Sequence, residues 1–551
     1  MRHSLDTPHH PQTTPIIYLP DHPKRPASSD QEKDSSCRVM ADHVYLDGRT
    51  LEGGGQLVRN ALALSALTGR PVTIDHVRGS RQGKRGLKGS HAAAVKLLAE
   101  ISGSKVVGGE VGSQSVTFIP PSASPTKSAP TGGRPELASV VSLSDMSVQK
   151  EYNINLPTAG SVFLVFQALY PYLLHVGLRA PADCIRVNIT GGTNSSFSPS
   201  YDYASQVMMP NFARLRLPHL SMKLNKRGWS SGPVDLGSVS FRIHPLTASE
   251  NIDRPRRSEQ DYSSVSRFRP INLLNHERGK ITQIDITILA PDSLIPGTSE
   301  EEDEMRPFEK AHHKKSSNKF KKRKWKDRDS SHYQRGDGIS NPVAGDPPRT
   351  IRNYIEDITI RALRNGMETL DPSIFESNTD GTNRDRPVPV TIHTSEATFH
   401  RSHKYILIVA HTSTGFRIGH DTLYGFDGTR GGGHATKANK DPGGKRKQDH
   451  REVSAASGLV NQCVRGFVDE ISGENHGFFE EGFAGRRSCL DVHMRDQVVV
   501  FEALGELARQ GLVDGQEEGR LEEQEDESHW SLHTKTARWV CRQMLGESVF
   551  R

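Results

Sequence analysis

Between Val44 and Ile119 the chain switches repeatedly between the two hydrophobic periods of regular structure, and this restricts the fold more than any other feature. Val44-Tyr45-Leu46 and Val72-Thr73-Ile74 read as short strands. Between them Leu57, Val58, Ala61, Leu62 and Ser65 share one helical face, and Gly69-Arg70-Pro71 ends that helix. A second helix is predicted over His91 to Ile101, with Ala94, Val95, Leu97, Leu98 and Ile101 as its apolar set. Paired strands follow at Val106-Val107 and Ser115 to Ile119. This order belongs to an α/β unit with its helices on one face of a sheet. A similar alternation returns as a helix over Ser161 to Val176, a strand over Ile185 to Ile189 and a helix over Tyr203 to Leu215. Repetition of the unit is therefore suspected, although no sequence self-similarity marks it.

Composition explains why so long a chain carries so few such elements. Of 551 residues only 34% are hydrophobic, and the polar excess is concentrated in blocks. Residues 1–40 read as a disordered arm, because a Pro-rich polar stretch cannot bury enough surface to offset its ordering entropy. Segments 121–145, 297–348, 425–450 and 511–529 read as insertions into a smaller scaffold. The second holds five consecutive acids, Glu300 to Glu304, then nine bases against one acid between Lys314 and Arg328. The formal charge of +6 is compatible with a polyanionic partner without requiring one. No apolar run approaches the ~18–20 residues of a membrane span, so no membrane partner is expected. The first forty residues have no signal-peptide pattern. The five cysteines are scattered without CxxC spacing, which points to a reducing compartment rather than a disulfide framework or zinc ribbon.

Several generic nucleotide and metal motifs are missing: GxxxxGK[ST], a lysine in a Lys-x-Asp-Gly context, HExxH and CxxC. What remains is Glu52, the triplet Gly53 to Gly55, Gln56 and Arg59. Glycines before a helix let backbone N–H groups approach an anion, and Gln56 and Arg59 stand one turn apart, opposite the apolar stripe. Such a turn could hold a metal and a phosphorylated ligand; a solvated helix face with a glycine turn fits the spacing equally well. Arg78, Arg81, Lys84, Arg85 and Lys88 form a basic loop before His91, suited to phosphate contact more than base stacking. Gln167 lies in an apolar helix and must find a hydrogen-bond partner. Asp496-Gln497 opens an apolar helix and Leu532-His533-Thr534 precedes another; a positioned neutral histidine can attack phosphorus.

Together these stretches resemble the RNA 3′-terminal phosphate cyclase family. The matching pieces are Leu46-Asp47-Gly48 through Gly53-Gly54-Gly55-Gln56 to Arg59, Thr158-Ala159-Gly160-Ser161 with Gln167, and Gly191-Gly192-Thr193-Asn194. Pro270-Ile271-Asn272-Leu273 with Glu277-Arg278-Gly279, Thr412-Ser413-Thr414-Gly415, Asp496-Gln497 and Leu532-His533-Thr534 complete the set, in the family's order. The resemblance implies an α/β fold: a large domain of repeated four-stranded-sheet plus two-helix units, with a smaller inserted α/β domain. Residues 41–268 and 391–551 would form the catalytic domain, and 269–390 the insert. It also implies ATP and a divalent metal, Mg2+ or Mn2+, with an RNA 3′-phosphate end as partner. His533 would take AMP covalently and pass it to the RNA phosphate, and the vicinal 2′-hydroxyl would then close a 2′,3′-cyclic phosphate.

By the same resemblance Glu52 is the metal ligand. Gln56, Gln167 and His493, Met494, Arg495, Asp496 and Gln497 hold ATP, and Arg59, Arg78, Arg81 and His91 face phosphates or the RNA end. The chain departs from the family at Arg227-Gly228-Trp229-Ser230-Ser231-Gly232-Pro233, where Pro-x-Gly-Gly-Gly is usual, at His493 in place of a tyrosine, and at Ser90 in place of a glutamine. The alternative is the non-catalytic cyclase-like branch serving pre-rRNA processing and small ribosomal subunit assembly. That branch typically lacks the Glu-Gly-Gly-Gly-Gln turn and the histidine, and both are present here. The basic block at Lys321 to Lys324, with the resemblance, leads us to expect a nuclear location, nucleoplasm or nucleolus.

Overall fold

Val44–Asp47 (β1) pairs in parallel with Val72–Asp75 (β2), so the chain must cross over between them, and Gly55–Thr68 (α1) makes that crossing. Gly69 closes α1 in the left-handed conformation with its N–H on Ser65. Gly89–Ser102 (α2), Lys105–Val107 (β3) and Val116–Ile119 (β4) complete a sheet of order β1-β2-β4-β3, antiparallel after the first pair. The next unit repeats this plan. Glu151–Asn155 (β5), Val162–Val176 (α3), Ile185–Gly191 (β6), residues 201–214 (α4), Leu220–Lys226 (β7) and Gly237–Ile243 (β8) give the order β5-β6-β8-β7 with the same strand senses. Repetition is thus carried by topology. Within α4 a π turn, Ala204–Met208, joins two α-helical pieces.

The structure is a computed structural model; it describes residues 43–81, 83–121, 148–176, 183–246, 268–295, 349–376, 378–379, 385–386, 388–425, 444–473, 487–510 and 530–550. The expected arm, the basic block at 314–328 and segments 297–348 and 511–529 lie outside them, as does all of 121–145 except residue 121. The stretch expected as a loop over 425–450 enters a helix at Gly444. Among the described residues no helix is long and apolar enough to cross a membrane.

A third sheet uses similar parts in another order. Ile281–Pro291 (β9) is followed by Ile351–Glu368 (α5), a short hairpin of Asn378–Thr379 (β10) and Asp385–Arg386 (β11), then Val390–Thr398 (β12), Tyr405–Thr412 (β13), Arg417–Leu423 (β14) and Gly444–Ser472 (α6). The order β12-β9-β13-β14 puts β9 inside, parallel to β12 and antiparallel to β13. Ile284, Ile286, Ile288, Ile406 and Ile408 form a second core with α5 and α6, while Leu289, Tyr405, Leu407 and Val409 join the first core. Both faces are covered, so alternate strand positions serve two cores. This second core runs from Ile281 to Ile471 and so takes residues from both sides of the boundary expected at 391, while β13 serves both cores.

Val492–Gln510 (α7) and Leu532–Leu545 (α8) return to the first core, α8 packing on α1 and α7. The architecture is therefore repeated four-stranded α/β units with a smaller α/β insert. Phe241 illustrates the first core: it is fully buried, stacked on Phe166 at 4.3 Å and edge-on to Phe163 at 5.9 Å. Phe241→Ala should lower the unfolding free energy by about 3–5 kcal/mol. Urea titration checks this through the midpoint at unchanged slope; a loss under about 1 kcal/mol would show that this stack does not anchor the core.

Candidate active site

The glycine triplet marks where β1 hands over to α1, and each glycine is needed for a different reason. Gly53 has φ 58°, and a side chain there would strike the Gly48 carbonyl. At Gly54 a Cβ would collide with the Glu52 carboxylate and stand 3.0 Å from Arg81. At Gly55 it would run into the His91 ring and lie 2.8 Å from the Arg59 guanidinium. The missing side chains leave room for a carboxylate, a guanidinium and an imidazole around one turn. No side chain caps α1, so its first N–H groups remain open to an anion.

Helix α8 brings the histidine to this turn. Ser531 caps it by accepting from Thr534 N at 3.0 Å, which places His533 in the first turn. Thr536 Oγ1 accepts from the Glu52 N–H at 3.2 Å, fastening the turn to α8. His533 Nδ1 then lies 3.0 Å from Gln56 Oε1 and 2.8 Å from Glu52 Oε2. Both neighbours are acceptors, so Nδ1 carries the proton and Nε2 keeps its lone pair. The ion-pair distance to Glu52 lacks hydrogen-bond geometry, and Oε2 is buried without a hydrogen bond. Arg81 pairs with the other Glu52 oxygen.

A chain of amides ties the helices together behind the histidine. Gln167 on α3 donates to Gln497 Oε1 on α7, and Gln497 donates to Asp496 Oδ1 at 2.6 Å. Gln56 Nε2 reaches the Asp496 carbonyl at 3.5 Å. Burial holds the His533 imidazole below its ordinary pKa, opposed by Asp496 and reinforced by Arg81 and Arg59. Burial also lowers Arg59 to about 10, with Asp496 pulling the other way, and raises Asp496. His91 is pulled to about 3 by burial and by Arg59, Arg78 and Lys88. The site is thus a neutral imidazole ringed by guanidinium groups and partly desolvated carboxylates.

His533, Gln56, Arg59, Gln167, His493, Asp496 and Gln497 line one cleft of about 320 Å³. Among the other expected residues, Glu52 and Arg81 adjoin it through His533, and His91 lies beneath Gly55 and Arg59. Arg78 turns onto its own loop, donating to the Lys84 carbonyl at 2.8 Å. Met494 and Arg495 are not brought to the cleft: Met494 is fully buried in the first core, and Arg495 pairs with Glu502 at 2.7 Å and lies over Trp530. The reason is helical periodicity, since positions 493, 496 and 497 share a face that 494 and 495 do not. Gln56 is buried, because α1 is buried around most of its circumference and its polar face is the cleft wall. Sequence reasoning missed Asn194 to Ser200, Tyr203, Tyr405 and Asp421, which with Leu164 and Leu423 complete the lining. Only Asn194 had a signal, the Gly-Gly-Thr-Asn turn.

The family model for RNA 3′-terminal phosphate cyclases matches residues 50–549, nearly the whole described chain. The chain belongs to the RNA 3′-terminal phosphate cyclase family. Relatives named RNA 3′-terminal phosphate cyclase include one from Koribacter versatilis, 31% identical over 259 residues, 46% of this chain and 63% of the relative. Another, from Pyrococcus furiosus, is 36% identical over 222 residues, 40% of this chain and 54% of the relative. A third, from Methylococcus capsulatus, is 35% identical over 200 residues, 36% of this chain and 48% of the relative. The chain therefore spans about half to somewhat under two thirds of these cyclases.

Acid should weaken this fold through its buried imidazoles. His91, about 3, and His420, about 4, are neutral in the folded chain, whereas the unfolded chain protonates them near 6.5. Below 6.5 the unfolded state binds more protons, so their contribution is full above that pH and declines toward the folded values. Asp491, raised to about 6 by burial, acts oppositely between 3.8 and 6. The difference between wild type and His91→Gln isolates one imidazole. The variant should lose up to about 1.4 kcal/mol per pH unit of acid slope between pH 6 and 4. Urea unfolding at several pH values checks this, and parallel pH curves would refute a buried neutral His91.

Proposed function

We propose that the chain converts an RNA 3′-terminal phosphate into a 2′,3′-cyclic phosphodiester at the expense of ATP, through a covalent His533–AMP and an RNA adenylate. The observation that carries this reading is His533, with Nδ1 committed to acceptors and Nε2 left unprotonated in a cleft that holds Arg59. Its lowered pKa favours the neutral imidazole that a nucleophile requires. Nε2 attacks the α-phosphorus, the N–P bond forms and pyrophosphate leaves. An RNA 3′-phosphate oxygen then takes the AMP, breaking the N–P bond and restoring the imidazole. Finally the vicinal 2′-hydroxyl attacks the activated phosphate, loses its proton and expels AMP.

Arg59 and Arg81 are placed to stabilise charge developing on phosphoryl oxygens, and the open N–H groups of α1 add to this. Gln56 holds the histidine tautomer. The Gln167–Gln497–Asp496 chain keeps α3 and α7 in register around the nucleotide. No group of three or more metal-binding side chains occurs among the described residues. The buried, unbonded Glu52 Oε2 nevertheless fits a cation that takes most of its ligands from phosphates and water. A divalent ion held there would neutralise triphosphate charge. The exposed loop around Lys84 and Arg85 suits the RNA backbone, and a nuclear location remains part of the proposal through Lys321 to Lys324.

Incubation with α-labelled ATP and Mg2+ should attach label to the protein, with none on His533→Ala. Arg59→Ala should slow labelling on the order of 100-fold. An unlabelled wild type, or equal labelling of the His533→Ala chain, would end the covalent reading.

A further inference from the structure

The two repeated units share a plan but differ on the side of the sheet turned away from the helices. In the second unit, strand alternation sends Tyr152, Ile154, Val187, Ile189, Val239 and Phe241 into the first core and their neighbours in sequence to the opposite face. In the first sheet that face carries Tyr45, Thr73, Thr117 and Val107, and Lys105 is the only cation on its four strands. In the second sheet it is an open trough of about 650 Å³ with Arg186, Arg242 and Lys223 against one carboxylate, Glu151. The first unit folds without such a face, so the charge is not a demand of the fold.

Register concentrates this charge. Arg186 on β6 is the direct partner of Arg242 on β8, and like charges set opposite each other across a ladder destabilise a sheet. Glu151, opposite Arg186 on β5, answers only that one, at 3.4 Å, and also accepts from Asn188 at 2.6 Å. Lys226, at the end of β7, is neutralised by Asp235 at 2.8 Å. Arg242 and Lys223 are exposed and form no ion pair among the described residues. Between the cations stand the hydroxyls of Ser221 and Ser240 and the amides of Asn188 and Asn225, and no aromatic side chain lines the trough. Such a surface can neutralise phosphates and hydrogen-bond to sugar hydroxyls, but offers bases nothing to stack on.

One strand connects the trough to the cleft. β6 carries Arg186 near its start and runs through Gly191-Gly192-Thr193 to Asn194, which lines the cleft of His533. At the usual rise of a strand, Arg186 lies about 17 Å from Gly191, within the span of single-strand sites of ~4–16 nucleotides. Resting on the reading of an RNA 3′ end as substrate, we propose that the open face of the second sheet binds the RNA backbone upstream of that end, with Arg186, Arg242 and Lys223 on its phosphates. Continuity with the cleft, and hydroxyl and amide groups suited to 2′-hydroxyls, favour RNA here over an acidic peptide. The face acts as a tether that raises affinity for long RNA of any sequence without touching the reacting phosphate.

Equilibrium binding to the full chain tests this, with an RNA of about 12 nucleotides ending in a 3′-phosphate and with a dinucleotide bearing the same end, too short to leave the cleft. Wild type should bind the longer RNA about 10-fold more tightly or better, and Arg186→Thr combined with Arg242→Thr should remove most of that advantage while leaving the dinucleotide unaffected. For the longer RNA the slope of log K against log salt should become shallower by about 1.4, at about 0.7 for each lost contact. Labelling of the double variant by ATP should match wild type, since neither arginine lines the cleft. Equal wild-type affinities for the two RNAs, an unchanged salt slope in the variant, or equal weakening of both RNAs would overturn the proposal. So would a glutamate-rich peptide that binds through the same arginines while RNA binding ignores them, which would give the face to a protein partner. Lys223→Thr, on the edge strand, repeats the test with about half the change in slope if the double variant does not fold. Arginine-dependent binding of long RNA without label on His533 removes the covalent reading and leaves the face its role; label with an unchanged slope does the reverse.

Discussion

The contact between α8 and the turn after β1 is the constraint on which the rest of the site depends. Thr536 takes the Glu52 N–H, His533 Nδ1 meets Gln56 Oε1, and Arg70 at the far end of α1 donates to the Met544 carbonyl at 2.5 Å. Residues nearly five hundred positions apart are thereby held to hydrogen-bond tolerance. This closure also fixes the imidazole proton on Nδ1, because Gln56 can turn its oxygen to the histidine only while its nitrogen faces the Asp496 carbonyl. Tautomer and backbone closure are one arrangement.

A second buried junction shapes the other side of the cleft. Asp491 caps α7 by accepting from the N–H groups of His493 and Met494, accepts from Tyr203 Oη at 2.5 Å, and takes the Gly419 N–H at 2.9 Å. One carboxylate thus joins α4, β14 and α7, and through β14 it links the third sheet to the repeated units. Arg227 makes a parallel link, pairing with Asp202 at 2.8 Å and Glu396 at 2.9 Å. The stretch where this chain departs from the family's glycine pattern follows it directly: Trp229 stacks on His403 at 4.6 Å.

Local elements were legible because period and punctuation agree over residues 44–119. The strands and helices there depart from expectation by one or two residues at their ends. Gln167 was flagged by its unmet hydrogen-bonding need, which the structure satisfies through Gln497. Met494 and Arg495 were grouped with their neighbours because a linear motif does not say which side of a helix faces the cleft. The two-sided covering of the third sheet was hidden for a related reason: Ile406 and Leu407 are adjacent apolar residues in sequence, yet they serve different cores.

By itself the sequence determined the class of unit, the glycine turn and the chemical types gathered at it, because these depend on residue spacing within about a dozen positions. Only the tertiary structure decided that Glu52, Gln56 and His533 share one hydrogen-bonded cluster and that Asp421 stands in the same cleft. Nothing in the spacing of residues 52, 421, 496 and 533 encodes their proximity. It follows from burial of α1, α3, α7 and α8 in a common core and from a sheet, β9 with β12 to β14, that is covered on both faces.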